Sequence, residues 1–201
     1  MLDRAALRLL APPIGALARA LVRAGVGADT ITLAGFVIGL AGAGAIAFQA
    51  YGPGLVLILL SRLCDGLDGA VARLTAPSER GAFLDITLDF LFYASVPLAF
   101  AVADPAANAL PAAVLLASFI GTGSSFLAFA VMAGKRGLQS SAYPRKGLYY
   151  LGGLTEATET LLCFALMCLF PAQFALWAYG FAALCALTIV TRIWAGWRML
   201  A

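Results

Sequence analysis

Between residues 31 and 196 the sequence divides into six apolar stretches of about 20 residues each, parted by short turns rich in Gly, Pro or charge. A helix of about 20 residues is what crossing the hydrocarbon core of a bilayer requires. The expected helices cover residues 31–50, 55–73, 81–102, 108–133, 148–170 and 174–196, with Asp29 or Thr30 capping the first. A soluble core could not hide this much apolar surface. Of the 201 residues, 63% are hydrophobic and 11% charged, and the mean hydropathy is +0.96. The chain therefore reads as an all-α integral membrane protein, a single domain over residues 1–201.

Residues 1–24 have a different character. On a helical wheel Arg4, Arg8, Arg19 and Arg23 share one sector, and Leu2, Leu7, Leu9, Leu10, Ile14, Leu17 and Leu21 fill much of the opposite side. This predicts an amphipathic helix lying in the membrane interface, bent at Pro12-Pro13, with its arginines toward anionic headgroups. Its charges run throughout and no clean apolar core precedes a cleavage site, so it is not read as a signal peptide.

The thirteen Lys and Arg residues sort by loop. They fall before the first crossing, around the second-to-third connection (Arg62, Arg73, Arg80), between the fourth and fifth crossings (Lys135, Arg136, Arg145, Lys146), and at the C-terminal end (Arg192, Arg198). The other three connections carry none. The positive-inside rule then puts both termini on the cytoplasmic side.

Four aspartates interrupt this apolar background: Asp65, Asp68, Asp85 and Asp89. A carboxylate at membrane depth costs about 3 kcal/mol or more, so such residues default to function. Asp65 and Asp68 are three apart and Asp85 and Asp89 four apart, which puts each pair on one helix face. Two such pairs at the facing ends of neighbouring helices make a cage of hard oxygen ligands, suited to one or two Mg²⁺ or Mn²⁺ ions and a phosphate. The chain has no histidine, which leaves carboxylates as its acid–base groups. Cys64, Cys163, Cys168 and Cys185 lie in apolar runs without CxxC spacing and read as reduced packing residues.

In full, the pattern is Asp65-x2-Asp68-Gly69-x2-Ala72-Arg73-x7-Gly81-x3-Asp85-x3-Asp89. It resembles the signature of the CDP-alcohol phosphatidyltransferases, with every fixed residue present, and the six crossings behind an interfacial helix resemble that family's build over nearly the whole chain. The resemblance implies a metal-dependent enzyme moving a phosphatidyl group from CDP-diacylglycerol, or a similar CDP-alcohol, to a small alcohol and releasing CMP. Glycerol 3-phosphate is the default acceptor. It also implies two Mg²⁺ or Mn²⁺ ions, with Asp65, Asp68 and Asp85 as ligands and Asp89 as general base, able also to touch a second ion. Arg73 would pair with donor phosphate, and Gly66, Gly69, Ala72 and Gly81 would leave room for the nucleotide. Asp29 and Thr32 stand where the family uses an asparagine and a threonine, although Ala28 replaces a usual proline. A homodimer through the third and fourth crossings, a bacterial inner membrane, an active site open to the cytoplasm, and no nucleic-acid partner complete the expectation.

Competing readings are ion pairing of the aspartates with Arg62, Arg73 or Arg80, a cation carrier reusing the cage, and a membrane prenyltransferase. The complete signature, at one membrane face rather than the midplane, favours the enzyme. Two features stay open. Glu156 and Glu159 could line an acceptor pocket or pair with Arg145, Lys146 or a neighbouring helix. The Lys135, Arg136, Arg145, Lys146 group could bind an acceptor phosphate or serve topology alone. Trp177, Trp194, Trp197, Tyr149 and Tyr150 read as an interface belt.

Overall fold

The computed structural model describes residues 2–137 and 153–201, with side chains from residue 12 onward. Every regular element in it is helical: α1 (Leu2–Arg23), α2 (Ala28–Ala47), α3 (Tyr51–Leu74), α4 (Glu79–Ala103), α5 (Pro105–Lys135), α6 (Ala157–Leu169) and α7 (Phe174–Met199), with a 3₁₀ turn at Pro171–Gln173. Among the described residues, α2, α4, α5 and the Pro171–Met199 stretch are long and apolar enough to cross a membrane.

Helix α1 runs through Pro12 and Pro13 without a break. It ends at Gly25, whose φ of +76° needs no Cβ, and Val26 N–H closes back onto the Leu21 carbonyl at 3.0 Å. Its apolar side is not wholly given to lipid. Ala18 is fully buried, and Ile14, Leu21 and Val22 pack with Ile31, Leu67, Ala70 and Val71 of α2 and α3.

Helix α2 begins at Ala28, capped by extended Gly27. Asp29 thus lies in the first turn rather than at the cap, where its charge suits the helix dipole. Helix α2 packs against both α3 and α4, and its small residues set the spacing. A Cβ on Gly35 would sit 2.8 Å from Cys64 Cβ, and one on Gly42 would sit 3.1 Å from the Gly54 carbonyl oxygen. Small residues at these positions are what let the helices approach so closely.

Ser78 caps α4, its hydroxyl accepting from Gly81 N–H at 3.0 Å. Asp104 caps α5 through Ala107 N–H at 3.1 Å, with Pro105 opening the helix. The core lies at the end of the bundle where α3 starts and α4 finishes. There Tyr51 stacks on Phe100 and Phe100 on Phe174, with ring centroids 5.6 and 4.6 Å apart. Trp177 also packs on this core, away from the belt role that Trp194 and Trp197, both exposed, can still serve.

The fifth crossing differs from expectation. Residues 148–152 lie outside the described residues, Gly153–Glu156 is not helical, and α6 has only 13 residues. At 1.5 Å per residue it is about 20 Å long, short of the roughly 30 Å hydrocarbon core. The start is fixed by a capping box: Glu156 N–H donates to Glu159 Oε2 at 3.1 Å, and the Glu156 carboxylate reciprocates. Buried Thr188 of α7 holds the irregular segment, its hydroxyl accepting from the Leu154 and Thr155 N–H groups at 3.2 Å each.

Candidate active site

Helices α3 and α4 run in opposite directions, so the last turns of α3 face the first turns of α4 across the early part of α2. The four aspartates gather there. One oxygen from each of Asp65, Asp68 and Asp85 lies within 4.8 Å of the others. Asp68 is buried, and Thr32 of α2 donates to its Oδ2 at 2.6 Å. That bond satisfies one lone pair and orients the carboxylate. The remaining donors are all carboxylate oxygens, so the group fits a hard divalent cation.

Asp89 is placed differently. Its Oδ1 accepts from Arg62 Nη1 at 2.6 Å, and the same nitrogen stands 3.3 Å from Asp65 Oδ1. Arg62 is held from behind: its guanidinium carbon lies 4.0 Å over the Phe92 ring and 5.5 Å from that of Tyr93. Nη2 reaches Ser61 Oγ at 3.4 Å, while the buried Nε meets no hydrogen-bond partner among the described residues. The pairing reading of the aspartates thus applies at Arg62. Among the described residues it does not extend to Arg73, which is exposed at the end of α3. Arg80 is likewise exposed, with Nε 3.8 Å from Asp29 Oδ2. A signal for Arg62 was present, since it precedes Asp65 by the same three residues that align Asp65 with Asp68.

The small residues of the signature border polar groups. A Cβ on Gly69 would meet Arg73 Nη1 at 3.2 Å, and one on Gly81 would meet Asp29 Oδ1 at 3.1 Å. Gly66 faces Ile14 of α1 at 3.4 Å, and Ala72 is half-buried beside them. Asp29, Arg73 and Arg80 therefore flank the carboxylates on the side of α1 and the α3–α4 turn.

On the opposite side of Asp89, a cavity of about 710 Å³ opens between α4, α5, α7 and the start of α6. Its wall is mostly carbon, from Tyr93, Phe119 and Phe126 among others, with Asp89, Thr122, Ser124, Thr155, Glu156, Thr160 and Arg192 as its polar members. Glu156 is both a lining residue and part of the capping box, and Glu159 is engaged as its capping partner. Arg192, read from sequence only as a topology charge, is buried and donates from Nη1 to the Thr122 carbonyl at 3.1 Å. Lys135 and Arg136 close α5; Arg145 and Lys146 lie outside the described residues.

A carboxylate trio with the geometry to hold a cation, set within a signature of eight fixed positions on two facing helices, defines a class. Residues 26–195 match the CDP-alcohol phosphatidyltransferases, and the chain belongs to that family. It is 51% identical over 200 residues to the inner membrane protein YnjF of Escherichia coli K12, covering 100% of this chain and 97% of that protein. The fold is also that of Mycobacterium tuberculosis phosphatidylinositol phosphate synthase. The crystal structure of that enzyme with CDP-DAG bound aligns at a TM-score of 0.68 and 22% identity, covering 92% of this chain and 93% of that one. The complex with manganese and citrate gives 0.68 and 22% over 92% and 88%, and the apo form 0.69 and 22% over 90% and 94%.

Proposed function

We propose that the chain transfers a substituted phosphate group from CDP-diacylglycerol, or a similar CDP-alcohol, to a small hydroxyl acceptor and releases CMP. The observation that carries this is the convergence of Asp65, Asp68 and Asp85 oxygens within 4.8 Å, beside a fourth carboxylate held apart. Asp65, Asp68 and Asp85 hold Mg²⁺ or Mn²⁺. When bound, the cation screens the donor pyrophosphate and steadies the negative charge that departs with CMP. Thr32 fixes Asp68 in the orientation that ligation needs.

Asp89 accepts the proton of the acceptor hydroxyl through its carboxylate oxygen, since it borders both the trio and the large cavity. Arg73 and Asp29 flank the donor's nucleotide half, and Gly66, Gly69, Ala72 and Gly81 leave it space. A guanidinium there offers donor phosphate a bidentate contact. The mostly carbon-lined cavity next to Asp89 takes the acceptor and the adjoining glyceride part of the donor. Glycerol 3-phosphate is the acceptor to test first. The manganese bound by the mycobacterial enzyme and the CDP-DAG bound by the same protein support the choice of ion and donor.

The topology we infer has six crossings in one domain, with α3 and α6 joining the four long apolar helices and α1 in the interface. Helix α3 carries Arg62, Asp65, Asp68 and Arg73 because it bears the site. Both termini and the aspartates face the cytoplasm of the bacterial inner membrane, where YnjF also resides, and two copies pair through α4 and α5. Purified protein given CDP-diacylglycerol, Mg²⁺ or Mn²⁺ and a panel of alcohols tests the activity by mass spectrometry of lipid products and by CMP release. No CMP release with any acceptor or metal would refute it.

A further inference from the structure

We infer that the unwound stretch Gly153–Glu156 is the acceptor-selecting wall of the cavity beside Asp89, and that Thr188 of α7 is the residue that positions it. This acceptor role rests on the transferase reading above.

Thr188 lies near the middle of α7, in a stretch long and apolar enough to cross a membrane, so the segment held against it sits at membrane depth. Backbone that leaves the helix there must find partners for its N–H groups within the protein. All four N–H groups of Gly153–Glu156 find side chains. Gly153 N–H donates to Glu156 Oε1 at 3.4 Å and Glu156 N–H to Glu159 Oε2 at 3.1 Å, so the two ends close locally. The middle two, Leu154 and Thr155, both donate to Thr188 Oγ1 at 3.2 Å, and the Thr155 hydroxyl stands 3.0 Å from the same oxygen. Thr188 is fully buried, and of these acceptors it alone belongs to another helix. Its methyl group completes the clamp. A Cβ on Gly153 would collide with Thr188 Cγ2 and lie 3.1 Å from Arg192 Nη2. Glycine at this position is what lets the segment lie flat against α7.

The clamp presents a polar patch on a wall that is otherwise mostly carbon. Thr155, Glu156 and, one turn into α6, Thr160 face the cavity that Asp89 also lines. Hydroxyls and a carboxylate read the hydroxyl groups of an alcohol by hydrogen bonding. A site built that way rejects molecules that leave its buried groups unpaired. Asp65, Asp68 and Asp85 border a different hollow, which shares only Asp89 with this cavity. A displaced wall should therefore weaken acceptor binding before it disturbs the cation site.

The test uses the full-length protein in nanodiscs with CDP-diacylglycerol and Mn²⁺, and with glycerol 3-phosphate, or the most reactive alcohol of the panel, as acceptor. Amide exchange of the peptide containing Leu154 and Thr155 is followed alongside the KM for acceptor, the KM for donor and the Mn²⁺ requirement. Thr188→Val keeps the shape of the side chain and removes the accepting oxygen. It should speed exchange at Leu154 and Thr155 and raise the acceptor KM about 10-fold, the scale of a misplaced or unpaired contact. The donor KM and the Mn²⁺ requirement should hold. Thr188→Ser keeps the oxygen and should restore both the exchange and the acceptor KM. Gly153→Ala should also raise the acceptor KM, and adding Thr188→Ser, which removes the opposing methyl, should relieve it. Should Thr188→Val fail to fold, that pair carries the test. Unchanged exchange in Thr188→Val would overturn the clamp, and Thr188→Ser behaving like Thr188→Val would overturn the role of the oxygen. Faster exchange with an unaltered acceptor KM, or equal rises in donor and acceptor KM, would overturn the part of the wall in selection. A wild type that releases no CMP with any alcohol would overturn the transferase reading and this acceptor role with it, whatever the exchange shows.

Discussion

A single methyl group added at Gly39 should reach the active site through two layers of packing. A Cβ there would lie 2.6 Å from Phe92 Cδ2, 2.9 Å from Phe92 Cε2 and 2.8 Å from Ser61 Oγ. Carbon atoms in comfortable contact stay about 3.5–4.0 Å apart, so something must move by nearly 1 Å. Phe92 has little room to tilt, because it is fully buried and has the Arg62 guanidinium 4.0 Å over its ring. Overpacking of this kind costs about 1–3 kcal/mol. If the ring slides from under Arg62, a desolvated cation–π contact of about 2 kcal/mol goes too. We therefore expect Gly39→Ala to lose about 2 kcal/mol or more, roughly a 30-fold change in the folded-to-unfolded ratio. CMP release should fall beyond the loss of folded protein, because Arg62 orients Asp89. Gly44→Ala is the control: it sits on the same helix, and its Cβ would meet nothing within 4 Å. Its stability should stay within about 0.5 kcal/mol of wild type. Denaturant unfolding and CMP release of the two variants in mild detergent compare them directly. Equal stabilities would refute the close approach of α2 to Phe92, and with it the account of why Arg62 is fixed.

Other outcomes follow from the same geometry. Asp89→Asn should leave donor binding near normal at saturating Mg²⁺ while turnover falls about 10²-fold or more; equal loss of donor and metal binding in Asp89→Asn and Asp65→Asn would make Asp89 a ligand instead. Thr32→Val removes the donor to Asp68 and should raise the metal concentration needed for half-maximal CMP release about 10-fold; an unchanged metal dependence would count against the oriented carboxylate. Activity should disappear with EDTA and return with Mg²⁺ or Mn²⁺, and persistence in a chelated sample would sink the mechanism. In a cysteine-free background, a cysteine at Ala76 should resist labelling from outside intact cells while one at Ala106 is labelled; the reverse pattern would invert the topology.

Much of the fold was legible because the bilayer leaves few choices. Apolar stretches of spanning length must be helices, and five of the six expected helices appear within a few residues of their expected bounds, four of them long and apolar enough to cross a membrane. The errors at their ends have local causes. Helix α2 starts early because Gly27 takes the cap that Asp29 or Thr30 was expected to provide. The fifth crossing was misjudged for a stronger reason. Its apolar residues run on through Leu148, Leu151 and Leu154, and hydropathy alone cannot register a break made by pairing. The Glu156–Glu159 box marks a helix start, as Glu three residues apart can, but Glu at the cap position is a weak signal beside Ser or Asp. What makes Gly153–Glu156 affordable inside the bundle is Thr188, thirty-three residues further on from Thr155, a partner no local pattern reveals.

The site was legible in its carboxylates and not in how they are partnered. Spacing along α3 and α4 places four carboxylates on two facing surfaces, which is enough to expect a cation. It does not say which carboxylate will be drawn off. That depends on Arg62, and the position of Arg62 depends on Phe92 and Tyr93 from α4 beneath it and on the room that Gly39 leaves in α2. Three helices decide one rotamer. A charge three residues before an aspartate reads in sequence as an exposed helix pair worth a few tenths of a kcal/mol. Burial on an aromatic face turns the same spacing into a fixed partner, because a guanidinium stripped of water keeps whatever counter-charges it can reach. The separation of Asp89 from Asp65, Asp68 and Asp85 is therefore a property of core packing. Substitutions that loosen Phe92 should blur the distinction between base and ligands even where all four aspartates are intact.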